Sequence, residues 1–261
     1  MGIAKGKGGN SSRQAETFTR NCLGILRCAP TLARMPDRSI EFYNAAVDAI
    51  QAGRLDKALA AAENSLTENP NDTETWQLYV IALNALGRHD DARKATEKLK
   101  QLGLSEADGL MLQAAESTSL GDIAAALCHY ESAIEADCKR TDIHAGYALA
   151  LLEAGRKEDA LMAAEMAASL DPADARANYA LGHILRLDGQ KTAALNALSK
   201  AVAAEPDFMP AVYEEGMLLA EKGSLNEAIQ SFTKYLKAIP GDPSATQAIE
   251  SIREQMRPET H

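Results

Sequence analysis

Six glycines, Gly53, Gly87, Gly121, Gly155, Gly189 and Gly223, stand 34 residues apart without a single insertion or deletion. Glycine accounts for 17 of the 261 residues, so five further matches to one starting glycine have a chance on the order of one in a million. A second column repeats the register: Ala58, Ala92, Ala126, Ala160, Ala194 and Ala228 each follow those glycines by five residues. Such a period describes a stack of similar units, each too small to bury its apolar face alone and each completed by its neighbours.

Each column has a physical reason. Glycine ends a helix where the backbone turns left-handed, a conformation that clashes with a Cβ, and polar residues then open the turn, as in AGRLDKA, LGRHDDA and KGSLNEA. Alanine five residues on lets the next helix lie close to its partner; a larger side chain would overpack the contact at a typical cost of about 1–3 kcal/mol. Pro70, Pro172, Pro206 and Pro240 share a third phase, where proline stops the second helix before the next unit. The spacing therefore predicts an all-α chain of twelve helices in six hairpins, over 39–72, 73–106, 107–140, 141–174, 175–208 and 209–242. Abundant alanine and only 5% aromatic residues agree with helix rather than sheet.

After the last hairpin, PSATQAIESIREQMR carries Ala245, Ile249, Ile252 and Met256 on one helical face. Asp242 serves as N-cap and Pro243 sits in the first turn. A capping helix over 243–257 is expected, covering the apolar flank of the array, followed by a tail, 258–261.

The 34-residue pattern resembles the tetratricopeptide repeat family, whose motif favours a large residue at position 4, Leu at 7, Gly or Ala at 8, Ala at 20 and 27, and Pro at 32. Here the second repeat has Trp76; the fifth has Leu181, Gly182, Ala194, Ala201 and Pro206; and the sixth has Gly216, Ala228, Phe232 and Pro240. His144 and Asn178 depart from the pattern at position 4, and Leu104 and Cys138 at position 32. The resemblance implies a right-handed superhelical solenoid of six repeats, with positions 2, 5, 9, 12 and 13 of the first helices lining a concave groove.

Read on those columns, RANYALGHILRLDGQ divides in two. Leu181, Gly182, Leu185 and Gly189 belong to the fold, whereas Arg176, Tyr179, His183 and Arg186 fall on the side the resemblance assigns to the groove. Equal positions of neighbouring repeats add Tyr213, Met217 and Leu149, with Tyr179 expected beside Tyr213 and His183 beside Met217 and Leu149. Aromatic anchors, an adaptable methionine and flanking arginines suit the binding of a peptide or helix of a partner protein. Glu153, Glu214 and Glu221 make the local field mixed. The family's clamp for acidic chaperone tails needs Lys and Asn across three repeats; no repeat here has Lys at position 5, and Asn44 and Asn84 do not assemble it.

Catalysis is not expected, because no nucleophile, base and orienting group share a pocket and no phosphate-cradling loop occurs. No cofactor is expected either. Cys22, Cys28, Cys128 and Cys138 lack the spacing of a metal site or a disulfide framework and suit a reducing, cytoplasmic compartment. A net charge of -10 argues against nucleic acid, and no apolar run is long enough for a membrane helix. The primary expectation is thus a non-catalytic scaffold or adaptor binding a protein partner. The alternative is a structural assembly protein of a secretion, pilus or organelle complex that self-associates as a homo-oligomer.

Residues 1–38 stand apart, with seven Lys or Arg against two acids, while 39–261 hold twenty against thirty-five. GKGGNSS is flexible by composition. Arg13, Arg20, Arg27 and Arg34, with Phe18, Cys22, Ile25 and Leu26 between them, predict a short amphipathic helix over 13–29. Three readings stay open: a flexible or docked tail, a targeting segment, or a translation start at Met35. Arg27 interrupts the apolar run too early for a secretory signal, and Gly6 stands where myristoylation requires Ser or Thr.

Overall fold

The computed structural model describes residues 37–256, so the expectations for the basic amino-terminal segment and the last five residues lie outside the described residues. Thirteen α-helices and no strand occur among the described residues. The chain divides after Ala154 into two compact units.

The first unit contains α1 (Asp37–Gln51), α2 (Leu55–Glu68), α3 (Thr73–Ala85), α4 (His89–Gln101), α5 (Glu106–Ser119), α6 (Ile123–Ala136) and α7 (Thr141–Glu153). Here α1 packs on α2, α3 on α4 and α5 on α6 as hairpins, and α1, α3 and α5 also touch in succession. The second unit contains α8 (Lys157–Leu170), α9 (Ala175–Leu187), α10 (Lys191–Ala204), α11 (Met209–Lys222), α12 (Leu225–Ala238) and α13 (Pro243–Gln255). Its hairpins are α9 with α10 and α11 with α12, flanked by α8 and α13. The division falls in the turn between α7 and α8, inside the segment expected as the fourth repeat.

The two sequence columns explain this arrangement locally. Gly53, Gly87, Gly121, Gly155, Gly189 and Gly223 all have positive φ, between +66° and +87°, the conformation that reverses the chain between paired helices. Gly103 and Gly241 share it, at +90° and +85°, and turn the chain ahead of α5 and of the terminal helix α13. The alanines five residues after the six glycines are at most 1% exposed. Helix starts are fixed by side chains: Asp72, Ser105, Asp122, Asp174 and Asp242 each accept a hydrogen bond from the backbone N–H three residues on.

Close helix approach is set at three glycines. A Cβ on Gly182 would lie 2.7 Å from Leu198 Cγ and 3.1 Å from the Ala194 carbonyl oxygen; one on Gly146 would meet the Tyr130 ring at 2.8 Å; and one on Gly216 would meet Phe232 at 3.2 Å. Three polar ties join consecutive 34-residue segments, each spanning sixteen residues: Tyr79 donates to Glu63 at 3.2 Å, Tyr147 to Glu131 at 2.9 Å and Ser199 to Glu215 at 2.7 Å.

Two buried polar clusters hold the first unit. Ser39, Ser65 and Thr75 link hydroxyl to hydroxyl at 3.0 and 3.1 Å, and Thr75 donates through both its backbone N–H and its hydroxyl to Asp72. Burial raises the Asp72 carboxyl above its ordinary range despite these bonds. Arg140 donates to Asp142 at 2.6 and 3.0 Å and to Asp108 at 2.5 Å, with Met111 Sδ 3.3 Å from the same guanidinium. Its burial disfavours the charge, but Asp142 and then Asp108 outweigh that and raise its pKa.

In the second unit Phe232, Tyr235, Val212 and Met209 form a core with Ala245, Ile249 and Ile252 of the terminal helix. Met256, expected on that apolar face, lies beyond the end of α13 and is exposed. Met256 is the C-cap of that helix, its N–H still bonded to the Ile252 carbonyl at 3.1 Å, so the apolar face ends in an exposed last turn.

Candidate functional site

Six of the seven expected site residues lie in the second unit: Arg176, Tyr179, His183 and Arg186 on α9, and Tyr213 and Met217 on α11. Helices α9 and α11 touch directly, as the first helices of neighbouring hairpins do in the first unit. Leu149 lies on α7 of the first unit and is half-buried there.

A residue between these helices organises the site. Glu214 on α11 is 4% exposed and receives two groups from α9. His183 Nδ1 lies 2.5 Å from Glu214 Oε1, and Arg186 Nε donates to Oε2 at 3.1 Å. Burial by itself would push the Glu214 carboxyl up, yet the hydrogen bond and charge of His183, together with Arg186, hold it below the ordinary glutamate range. The carboxylate is therefore an acceptor only, which makes His183 Nδ1 the donor.

The aromatic residues do not form one exposed anchor. Tyr179 is 3% exposed, with its ring edge-on to Phe208 at 5.2 Å and stacked on the His183 ring at 5.8 Å. Tyr213 packs on Phe232 and Tyr235, at 5.6 and 5.0 Å between centroids. Tyr213 and Met217 are half-buried and rest on the core of the second unit. The residue that hydrogen-bonds His183 is Glu214, on the same helix as Met217 and about one turn before it.

What remains accessible is rich in nitrogen donors. Arg176, His183 and Arg186 are half-buried along one side of α9. Glu214 uses only Nε of Arg186, leaving four further guanidinium N–H groups. Lys191, the first residue of α10, and Glu221, near the end of α11, form an ion pair of 2.7 Å. Glu214 and Phe208 are the residues that groove columns alone do not identify. Glu214 had a signal, since an acid on one first helix facing His and Arg on its neighbour forms a complementary triplet. Phe208 closes the fifth segment, where the motif makes no demand.

No group of three or more His, Cys, Asp or Glu side chains with metal-binding geometry occurs among the described residues. Cys128 and Cys138 are exposed free thiols. No described helix is long and apolar enough to cross a membrane.

Comparison with known proteins gives these features a family. A model described as tetratricopeptide repeat matches residues 25–169, and a second with the same description matches 148–204 and 179–243. Among solved structures, the APC/C hetero-tetramer Cut9-Hcn1 is similar at a TM-score of 0.57 and 16% identity, over 93% of this chain and 48% of that one. The chain thus spans about half that protein's length. TTC0263, a thermophilic TPR protein in Thermus thermophilus, is similar at a TM-score of 0.51 and 19% identity, over 83% of this chain and 99% of that one. The crystal structure of MamA shares 25% identity over 54% of this chain and 83% of that one, at a TM-score of 0.48. No curated protein matches the sequence. The fold is that of a protein-interaction scaffold, and with a matching model covering more than half of its length the chain belongs to the tetratricopeptide repeat family.

Proposed function

We propose that the chain is a non-catalytic scaffold that holds an extended or helical segment of a partner protein across the face formed by α9 and α11. The observation that carries this reading is Glu214, a buried carboxylate that fixes His183 and Arg186 before any ligand arrives. Pre-set side chains lose less rotamer freedom on binding, so more of the contact energy appears as affinity. Arg186 keeps free donors, and Arg176, ten residues earlier on the same helix, forms no ion pair among the described residues. A carboxylate or an acidic stretch of the partner fits this pair, because guanidinium binds carboxylate through two parallel hydrogen bonds. Tyr213 and Met217 supply the adaptable apolar ground beside it. Tyr179 supports the face from beneath, stacked on His183, rather than meeting the ligand.

Affinity capture with mass spectrometry tests the reading, comparing the unaltered chain with Arg176→Ala and Arg186→Ala. Arg176→Ala breaks no internal pair, so its helical signal and Tm should stay unchanged. Loss of a specific protein from both captures supports the reading. A set of captured proteins unaffected by either substitution overturns it.

A further inference from the structure

The junction between α4 and α5 departs from the others. Elsewhere the second helix of one segment packs closely on the first helix of the next, whereas α4 meets α5 only sparsely. A cleft of about 440 Å³ opens there, walled by α4 and α5 with His129 of α6. That is the size of a small-molecule site, commonly about 300–1,000 Å³. The repeat explains the opening. Arg93 stands where the other five segments have Leu59, Leu127, Leu161, Leu195 and Ile229, and Lys100 where all five are apolar. Ser117 holds a place that is Leu83, Leu151, Leu185 and Leu219 elsewhere and Ala49 in the first segment. The side chains that fill the other junctions are replaced at this one by two long cations, which carry their charge outward to water, and by a short hydroxyl.

Charged and uncharged groups of the lining differ in what they have left to offer. Arg93 donates to Glu116 across the cleft at 2.8 Å and lies 3.5 Å from Asp90, while Lys100 lies 3.6 Å from Glu97. The cations are answered by acids of the chain itself, so neither an anion nor a cation finds an unopposed charge. Ser117, Gln113 and His129 line the same cleft and form no hydrogen bond among the described residues. Ser117 is only 8% exposed, and a polar side chain so deeply buried without a partner is uncommon in a native fold. A hydroxyl, a carboxamide and a neutral imidazole each donate and accept. Leu112, buried, and Leu120, 54% exposed, add apolar wall beside them.

We propose that this cleft binds a small uncharged ligand with an apolar body, whose edge carries amide-type N–H and C=O groups side by side, as in a lactam or a nucleobase. Gln113 matches such an edge with the one donor and one acceptor of its carboxamide, the same pairing by which Gln reads a base edge. Ser117, one turn along the same face of α5, and His129 from α6 take the remaining groups, and the two leucines take the body. The cleft shares no residue with the α9 and α11 face, and its ligand differs in class from the protein segment proposed there.

Saturation-transfer NMR and calorimetry of the full chain, with thymidine, guanosine and nicotinamide as probes, test the proposal. At least one probe should bind, and its N-methylated form, which blocks the amide donor, should bind about tenfold or more weakly. Thymidine monophosphate should bind no tighter than thymidine. Ser117→Leu installs the residue that four other segments carry, so the helical signal should persist while affinity falls about tenfold or more. Gln113→Glu keeps the shape but removes the amide donor, and should cost a similar factor. Arg186→Ala should leave probe binding intact, which separates this cleft from the partner site. Three outcomes overturn the proposal: no binding of any probe, binding that survives either Ser117→Leu or Gln113→Glu unchanged, or a monophosphate that binds much more tightly than its nucleoside.

Discussion

Glu214 accepts a hydrogen bond from His183 at 2.5 Å, joining α11 to α9 through a carboxylate that is almost completely buried. Its pKa is held below the ordinary value of 4.5 against the opposing effect of burial. A lowered folded-state pKa means that the stabilisation is fully present above about pH 4.5 and is lost as pH falls through the folded value. Asp72 in the first unit is shifted the other way, so the whole chain's pH profile mixes the two. The difference between the unaltered chain and Glu214→Gln isolates the first. Thermal unfolding followed by circular dichroism should show Glu214→Gln less stable by about 1–3 kcal/mol at neutral pH, with the gap closing as the pH is lowered below 4.5.

Two glycine substitutions should move stability in opposite directions. Gly182→Ala puts a Cβ 2.7 Å from Leu198 and 3.1 Å from a backbone oxygen that cannot step aside, so a loss of about 1–3 kcal/mol is expected. Gly109 is also within a helix, but a Cβ there meets only Leu104 Cδ2, at 3.8 Å. Gly109→Ala should raise stability by roughly 0.5–1 kcal/mol through backbone entropy. Denaturant midpoints of the two variants check both signs.

Arg140 neutralises two acids from different helices, Asp108 and Asp142. Arg140→Ala leaves both, one half-buried and one buried, without their counter-charge, and a loss of about 3–5 kcal/mol is expected for such a break. Arg140→Lys keeps the charge but not the forked geometry and should recover only part of the loss. Adding Asp142→Asn to Arg140→Ala should restore stability relative to Arg140→Ala alone, as a double-mutant unfolding cycle would show.

Tyr179→Phe and Tyr179→Ala should separate packing from binding. The ring is buried against Phe208 and His183, so the alanine variant should lose about 3–5 kcal/mol. The phenylalanine variant keeps the ring contacts and should retain the captured partner. Tm and affinity capture on the same samples are the measurements.

The helices and their phase were legible because the repeat writes each structural demand six times. The glycine column gave the left-handed turns, the alanine column the closest helix contacts, and Asp242 with Pro243 the start of α13. Gly103 and Gly241 were not legible in this way, since each occurs in only one or two segments. Less of the candidate site's surroundings was legible. Arg176, His183 and Arg186 do share one side of α9, but column positions report which way a Cα faces, not which neighbour covers the side chain. Tyr179 is covered by Phe208 from the end of its own hairpin, and His183 is claimed by Glu214. Both outcomes depend on residues whose columns carry no rule.

The three sixteen-residue ties, Tyr79 to Glu63, Tyr147 to Glu131 and Ser199 to Glu215, recur every 68 residues rather than every 34. The positions between them are filled by Gln113 and Leu181, which make no such tie. By this criterion tied junctions alternate with untied ones along the 34-residue segments. An insertion of 68 residues would continue the alternation of tied and untied junctions, whereas an insertion of 34 would place two junctions of the same kind in succession.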